Sequence, residues 1–202
     1  MPGHKETEAT RREQILEAAY EVALRRGIDG LTVRAVAARA RLSHSLVLFH
    51  FKRKEQLGLA LLDRVLAGTL SLTVPNEIRT MPRASARLQA LFHQELQRLS
   101  AEPRRLRLLL EFWARGGHNA VIRQKIGAAL ESYRTTFDDF GGEVSGGARG
   151  RSDKTVPAGL AAVAVSLIIG YPVQAMIDPE RVGAEEYLAA VRGALGRLGV
   201  AA

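Results

Sequence analysis

The chain has 202 residues, and its 29 lysine and arginine residues exceed its 21 aspartate and glutamate residues, which gives a formal net charge of +8. This length can bury a sizeable core, and 47% hydrophobic with 25% charged residues is a globular rather than a disordered composition. The lack of cysteine excludes disulfide bonds, thiolate catalysis and cysteine-ligated zinc, and residues 1–12 lack the apolar core of a secretory signal. We therefore expect a cytoplasmic location.

The N-terminal quarter of the chain has the periodicity of three helices. The first spans about residues 8–26, and Gly27 is expected to end it because glycine readily takes a positive φ. Thr32 and Ser43 are placed to cap two short helices, the second over about residues 44–50. None of these helices could bury its apolar face alone, so residues 1–55 are predicted to form a three-helix domain.

From about residue 54 the helical segments lengthen, and no run alternates convincingly as a strand. The predicted fold class is therefore all-α, with a larger helical domain over residues 56–202. Residues 75–82 are expected to form a linker, Pro103 to open a helix that Gly116 and Gly117 close, and Asn119 to cap the next one. Residues 141–155 are expected to form a mobile loop because most of them are glycine or polar. Two further helices are predicted, over about residues 157–177 and 184–198.

The first of these two helices has no charged residue between Thr155 and Ile177, and a membrane span could have this length. Pro172, Gln174 and many alanines argue against that interpretation. A helix that is apolar on most of its circumference needs cover on more than one side, and a neighbouring subunit would supply it. We therefore predict a homodimer through residues 157–177 and 184–198, with a single-span membrane protein as the alternative.

Positive charge concentrates between Gly30 and Lys54, where 25 positions hold six lysine or arginine residues and no acidic residue. The two short helices and the tight turn between them lie in this segment. A helix-turn-helix has this arrangement, with its first helix across the phosphate backbone and its second in the major groove. The alternative interpretation is a solvated basic face on a small bundle.

The residues of this region also carry a specific pattern: Ile15-Leu16, Ala18-Ala19, Gly27, Thr32-Val33, Val36-Ala37, Ala40, Leu42-Ser43, His50-Phe51, Lys54-Glu55 and Leu57. With this pattern, residues 12–57 resemble the DNA-binding domain of the tetracycline-repressor (TetR) family of bacterial transcriptional regulators. The later helices resemble that family's ligand-binding and dimerisation domain. Leu109–Trp113 and Tyr171–Pro179 are similar to members of the betaine-repressor type.

The resemblance implies which residues contact DNA. Lys54, Thr32 and Ser43 would reach phosphates, which position the protein, whereas base edges specify the sequence. Leu46 and Phe49 could contact thymine methyl groups, and the side chains of residues 44 and 45 could hydrogen-bond base edges. The complete predicted set is Thr32, Arg34, Arg41, Ser43, His44, Ser45, Leu46, Phe49, His50 and Lys54.

Three residues depart from the family pattern. Arg41 replaces the usual turn glycine, so the turn must accept a non-glycine residue or gain support from a phosphate. Ser45 stands where glycine is common, and Leu48 where a tyrosine usually contacts a phosphate. These departures leave the preferred DNA sequence open.

The predicted C-terminal domain contains candidate ligand-contacting residues that could equally be core residues: Phe92, His93, Glu95, Trp113, Tyr133, Phe137, Tyr171 and Gln174. Glu95 falls on an apolar stripe, where a buried carboxylate without a partner would be costly. Either it lies at the edge of the stripe and reaches water, which is the favoured interpretation, or it faces a pocket and recognises a polar or cationic ligand group.

The sequence shows no zinc-protease motif, no glycine-rich phosphate loop and no recognisable catalytic triad, so we expect neither an enzyme nor a bound metal or cofactor. The hypothesis is a ligand-responsive transcriptional repressor that binds a palindromic operator as a homodimer and is released by a small-molecule inducer. The alternative is a helical ligand-binding or scaffold protein without useful DNA binding.

Overall fold

A computed structural model describes residues 7–145, 160–181 and 183–197. Within these ranges the chain forms helices and no strands, which confirms the predicted all-α class. The helices are α1 Glu8–Arg26, α2 Val33–Ala40, α3 His44–Phe51, α4 Lys54–Thr69, α5 Asn76–Arg79, α6 Ala84–Ser100, α7 Pro103–Gly116, α8 Ala120–Ser145, α9 Leu160–Ile177 and α10 Ala184–Arg197.

Local signals at the helix ends behave as predicted. The Thr32 hydroxyl accepts a hydrogen bond from the Ala35 amide at 3.1 Å, so it caps α2. The Asn119 side chain accepts from the amides of Val121 and Ile122 at the start of α8. These side chains satisfy amides that have no partner within the helix.

The chain packs as two compact units. Unit 1 comprises Met1–Thr69 and Arg104–Gly127, and unit 2 comprises Leu70–Pro103 and Ala128–Ala202. This division differs from the predicted segments 1–55 and 56–202, because α4, most of α7 and the first turns of α8 pack with the N-terminal helices.

In unit 1, α1 packs against α2, α3 and α4, and its predicted apolar face is buried. Glu111 on α7 links that helix to the turn after α1. Its carboxylate accepts a hydrogen bond from the Ile28 amide at 2.7 Å. Gly27 at this turn has φ 69° and ψ −179°, and a Cβ added there would lie 2.8 Å from Glu111 Oε2. Only glycine readily combines this backbone conformation with so close a neighbour.

Further contacts hold α7 and α8 in unit 1. Arg107 donates to the Leu24 carbonyl near the end of α1 at 3.0 Å, and Arg115 pairs with Asp29. Lys125 on α8 donates to Asp63 on α4 at 2.7 Å. These contacts are polar and join segments far apart in sequence.

In unit 2, α6 packs against α5, α9 and α10. Its core includes residues from all of these helices and from α8: Ile78, Leu91, Phe92, Leu96, Leu99, Tyr133, Phe137, Val165, Ile168, Leu188 and Val191. α9 buries Ala161, Val165 and Ile168 there, while Val163 is 48% exposed and Ile177 is 84% exposed.

Two predicted loops differ from the structure. The predicted linker 75–82 contains the one-turn helix α5, because Ile78 is buried and anchors it in unit 2. The predicted loop 141–155 is wrong over residues 141–145, which continue α8, and residues 146–155 lie outside the described ranges. A helix that already runs from Ala120 to Phe140 can extend through Gly141 and Gly142 at about 1 kcal/mol each.

The penultimate helix begins in the structure at Leu160, and residues 157–159 of its predicted range lie outside the described residues. None of the described helices combines the length and the apolar character that a membrane crossing requires.

Candidate nucleic-acid interface

The predicted helix-turn-helix is formed by α2 and α3, which pack against each other and against α1. The Ser43 hydroxyl accepts a hydrogen bond from the Leu46 amide at 3.2 Å and lies 3.1 Å from the Ser45 hydroxyl. Each helix therefore begins at an exposed hydroxyl cap. Such an N-terminus has a partial positive charge that favours anions such as phosphates.

The turn between the two helices accepts Arg41 in place of glycine. Arg41 has φ 56° and ψ 43°, the left-handed conformation. Its amide donates to the Ala38 carbonyl at 3.3 Å, and the Leu42 amide donates to the Ala37 carbonyl at 2.9 Å. This pair of hydrogen bonds is a Schellman motif, and it satisfies the carbonyls of Ala37 and Ala38 in the last turn of α2. Arg41 thereby places an exposed cation between the two helices.

The structure divides α3 into a packing side and an open side. Val47 and Phe51 are buried, whereas His44, Ser45 and Phe49 are exposed. Phe49 is 72% exposed, so its ring is accessible to a partner on this side of the helix. Leu46, Leu48 and His50 are half-buried at the margins of this side.

The other predicted DNA-contacting residues lie on the elements that precede and follow α3 in the chain. Thr32, Arg34 and Arg41 lie on α2 or at its ends and are exposed, and Lys54 is the exposed first residue of α4. Arg39 differs, because it pairs with Glu21 on α1. The structure thus gathers all ten predicted DNA-contacting residues on α2, α3, their caps and the start of α4.

The candidate ligand-contacting residues are divided between the units. Trp113 lies in unit 1, and the other seven lie in unit 2. Phe137 packs edge-on against both Phe92 and Tyr133, and all three rings are buried. His93 Nδ1 lies 3.6 Å from Glu185, the Tyr171 ring packs against Tyr187, and Gln174 donates to the Gly170 carbonyl of its own helix.

The favoured expectation for Glu95, a position at the edge reaching water, is wrong. Its side chain is 1% exposed. Arg98 Nε donates to Oε1 at 3.0 Å and Nη2 to Oε2 at 2.6 Å, while the Tyr133 hydroxyl donates to Oε2 at 2.6 Å. Burial is tolerated because these three hydrogen bonds replace water around the carboxylate.

The buried cluster of Glu95, Arg98 and Tyr133 perturbs its own ionisation. Burial, reinforced by the Glu95 carboxylate, raises the pKa of Tyr133 well above its usual value. Burial opposes the charge of Arg98, but its hydrogen bond and its attraction to Glu95 outweigh this and raise the pKa of the guanidinium. The cluster therefore holds a neutral phenol and an ion pair at neutral pH.

The sequence interpretation did not identify Arg98 or Arg12 as relevant. Arg98 follows Glu95 by three positions, so helical spacing could have indicated that pair. Arg12 donates to the His50 carbonyl at 2.9 Å, across 38 residues, and no local pattern could have indicated it. Among the described residues, no group of three or more histidine, aspartate or glutamate side chains is arranged to hold a metal ion.

Comparison with protein families gives two matches to this chain. The sequence model of the bacterial regulatory proteins of the tetR family matches residues 15–61. The model of the C-terminal region of BetI-type transcriptional repressors matches residues 84–200, more than half of the chain.

Two related sequences have regulatory names. The chain is 30% identical over 175 residues to an uncharacterized HTH-type transcriptional regulator from the dhlA 5′ region of Xanthobacter autotrophicus, covering 84% of this chain and 82% of that protein. It is 26% identical over 117 residues to the HTH-type transcriptional regulator BetI of Escherichia coli strain K12/DH10B, covering 57% of this chain and 60% of that protein.

Solved structures share the fold. A candidate TetR-family transcriptional regulator from Mesorhizobium loti has a TM-score of 0.73 at 19% identity, covering 96% of this chain and 98% of that chain. A candidate transcriptional regulator from Saccharomonospora viridis, crystallised with choline, has a TM-score of 0.72 at 20% identity, covering 93% and 96%.

Proposed function

This chain belongs to the TetR family of bacterial transcriptional regulators, which are not enzymes, and from that premise we propose that it represses transcription as a homodimer on a palindromic operator. A small-molecule inducer that binds among the helices of unit 2 releases it from DNA. Because a bacterial regulator binds its DNA in the cytoplasm, we infer that this protein is cytoplasmic.

The observation that carries this proposal is the open side of α3. Its hydroxyl-capped N-terminus and exposed Phe49 stand among the exposed cations of residues 34, 41 and 54. Each subunit places α3 in a major groove, with the two helices about 34–36 Å apart or a multiple of that spacing. Phosphate contacts through Lys54, Arg34, Arg41 and the caps position α3, and His44, Ser45, Leu46, Phe49 and His50 read the bases.

Dimer formation is supported by α9, which exposes Val163 and Ile177 while its opposite side packs into unit 2. Exposed large apolar side chains on one helix are expected where a second subunit covers them. α10 lies beside α9 and would complete the dimer interface.

Inducer binding is supported by the buried aromatic side chains of unit 2 and by the choline complex of the Saccharomonospora viridis protein. Choline is therefore the first probe. Because Arg98 already neutralises Glu95, a cationic ligand would have to displace that guanidinium or bind to the aromatic rings beside it. Operator DNA must weaken inducer binding by the same factor by which inducer weakens DNA binding.

The test is a titration of a selected operator duplex with the full chain at several salt concentrations. A protein that neutralises phosphates gives a steep negative slope of log affinity against log salt, and Lys54→Ala should reduce that slope by about one unit. Lys125→Ala is the matched control, because Lys125 pairs with Asp63 outside the helix-turn-helix and should leave the slope unchanged.

Two chains per duplex and a lower affinity in the presence of choline are the further expected results. A flat slope for the wild type contradicts DNA binding through this surface. An unchanged affinity with choline excludes choline as the inducer and leaves the operator binding intact.

A further inference from the structure

The first turns of α1 hold the C-terminal ends of both helices of the helix-turn-helix. Gln14 Nε2 donates to the carbonyl of Ala40, the last residue of α2, at 3.3 Å. Arg12 Nη1 donates to the carbonyl of His50, the penultimate residue of α3, at 2.9 Å. The last four carbonyls of a helix lack donors within the helix, so side chains of α1 supply hydrogen-bond donors that α2 and α3 do not supply for these two carbonyls.

Arg12 makes a second contact at the same end of α3. Its guanidinium carbon lies 4.1 Å from the centre of the Phe51 ring, which is buried at the end of the helix. The guanidinium thus lies over an aromatic ring while one of its N–H groups donates to a carbonyl. A lysine ammonium is a compact point charge on a shorter side chain, so it does not reproduce both contacts with the geometry of the planar guanidinium. A cation at this position also complements the negative end of the helix dipole.

α3 depends on such outside contacts for its orientation. It has eight residues, and isolated helices shorter than about 12 residues are marginal in water. Its N-terminus is capped from within by Ser43, but at its C-terminus the chain leaves through Lys52 with φ 49°, without a glycine. Arg12 is thus the side chain from another helix that holds this end of α3 through both its backbone and its last ring.

We propose that Arg12 is a positioning residue for DNA recognition, because it orients the open side of α3. Its guanidinium contacts the His50 carbonyl and the Phe51 ring and does not contact a DNA phosphate. This inference rests on the DNA binding by α3 proposed above. Reading base edges requires α3 to be placed within about 0.5 Å, whereas phosphate attraction tolerates larger displacements. Loss of Arg12 should therefore reduce sequence preference more than general affinity for DNA.

The experiment compares Arg12→Met, which removes the charge and keeps an unbranched apolar chain, with the full-length wild type. Each protein is titrated with the selected operator and with a scrambled duplex of equal length, over a range of salt concentrations. Operator affinity should fall about tenfold or more, as for loss of a hydrogen bond to a charged group, while scrambled-duplex affinity stays within about twofold. The salt slope should equal that of the wild type.

Two further variants separate position from charge. Arg25→Met removes an exposed arginine from the last turn of the same helix and should change neither affinity. Arg12→Lys keeps the charge without the plane, so the proposal expects an operator loss similar to that of Arg12→Met. A phosphate contact would instead be largely preserved in Arg12→Lys.

Hydrogen exchange in the free protein provides an independent measurement. Amides in the last turn of α3 should exchange faster in Arg12→Met while the helical circular dichroism signal is retained. If Arg12→Met does not fold, the same titrations with operator and scrambled DNA are made with Arg12→Lys.

The proposal is overturned if Arg12→Met lowers the affinity for both duplexes equally and reduces the salt slope by about one unit, which is the result expected for a phosphate contact. It is equally overturned if operator affinity does not change. If the wild type shows no preference for the operator, or gives a flat salt slope, that result contradicts the proposed function itself and not the role of Arg12.

Discussion

The two compact units each contain a glutamate that joins segments far apart in the sequence, and the two glutamates use different partners. In unit 1, Glu111 on α7 accepts a hydrogen bond from the backbone amide of Ile28, and its side chain is 34% exposed. In unit 2, Glu95 on α6 accepts from the side chains of Arg98 and Tyr133, and its side chain is 1% exposed. The carboxylate of Glu111 thus binds the backbone of another segment, whereas the carboxylate of Glu95 binds particular side chains.

This difference predicts how each unit responds to substitution. Removal of Glu95 would leave the partly buried charge of Arg98 and the buried hydroxyl of Tyr133 without their carboxylate. Removal of Glu111 would leave only the part-buried amide of Ile28 without its acceptor and would break the ion pair with Arg107, whose side chain is half exposed. The contact in unit 1 is instead sensitive at Gly27, because the carboxylate lies where a Cβ would be.

The largest effect is expected from Glu95→Ala. Breaking a buried ion pair by removing one partner should lower the free energy of unfolding by about 3 kcal/mol. Urea unfolding followed by circular dichroism measures the loss. Glu131→Ala is the matched control, since it breaks the i,i+3 pair with Arg134 at the exposed surface and should cost less than about 0.5 kcal/mol. Equal losses for the two variants would contradict the structural role given to the buried cluster.

Gly27→Ala is expected to have an intermediate effect on unit 1. The backbone at φ 69° and ψ −179° is almost restricted to glycine, so the substitution should cost about 2 kcal/mol, and the new methyl group must also displace Glu111. In Gly58→Ala, where a Cβ would meet no atom within 4 Å inside α4, the protein should gain about 0.5–1 kcal/mol.

A double-mutant cycle with Glu111→Ala sharpens this prediction. Because Gly27→Ala already disrupts the contact between Glu111 and Ile28, the combined loss should be smaller than the sum of the two single losses. Strict additivity in urea unfolding would show that the close approach of the carboxylate to Gly27 carries no energy.

The smallest effect concerns pH and tests the cluster in unit 2. Burial and the Glu95 carboxylate raise the pKa of Tyr133 in the folded chain, whereas the pKa of tyrosine in the unfolded chain is about 10. The folded state therefore retains a proton that the unfolded state loses, so the stability from Tyr133 is fully present below pH 10 and declines as the pH rises above it.

Between about pH 9 and pH 10.5, the wild type should lose about 1 kcal/mol more stability than Tyr133→Phe. Urea unfolding at each pH measures the difference, and Tyr187, whose pKa burial also raises, contributes equally to both proteins. Parallel pH profiles for the two proteins would contradict the hydrogen-bonded phenol.

Features that depend on neighbouring residues could be predicted from the sequence. The helix periodicity and the caps at Thr32, Ser43 and Asn119 are confirmed because each involves residues within four positions. The TetR-family assignment is confirmed for the same kind of reason, since the pattern lies in one continuous segment. The individual DNA contacts remain a proposal.

Features that depend on distant partners could not be predicted. Ile78 in the helix of residues 76–79 is buried in the core of unit 2, and the buried Glu95 accepts a hydrogen bond from Tyr133 on α8. The contacts from Arg12 to α3 and from Glu111 to Ile28 join residues 38 and 83 positions apart. Helical spacing gives no information about contacts of this range.

Unit 1 is assembled from two stretches of chain, Met1–Thr69 and Arg104–Gly127, and this has a consequence for biosynthesis. A ribosome that adds about 5–20 residues per second releases the first stretch several seconds before the second. During that interval the nascent helix-turn-helix is without α7, so the Ile28 amide lacks its carboxylate. Maturation of the DNA-binding unit therefore has to wait until translation has passed the midpoint of the polypeptide and reached Gly127.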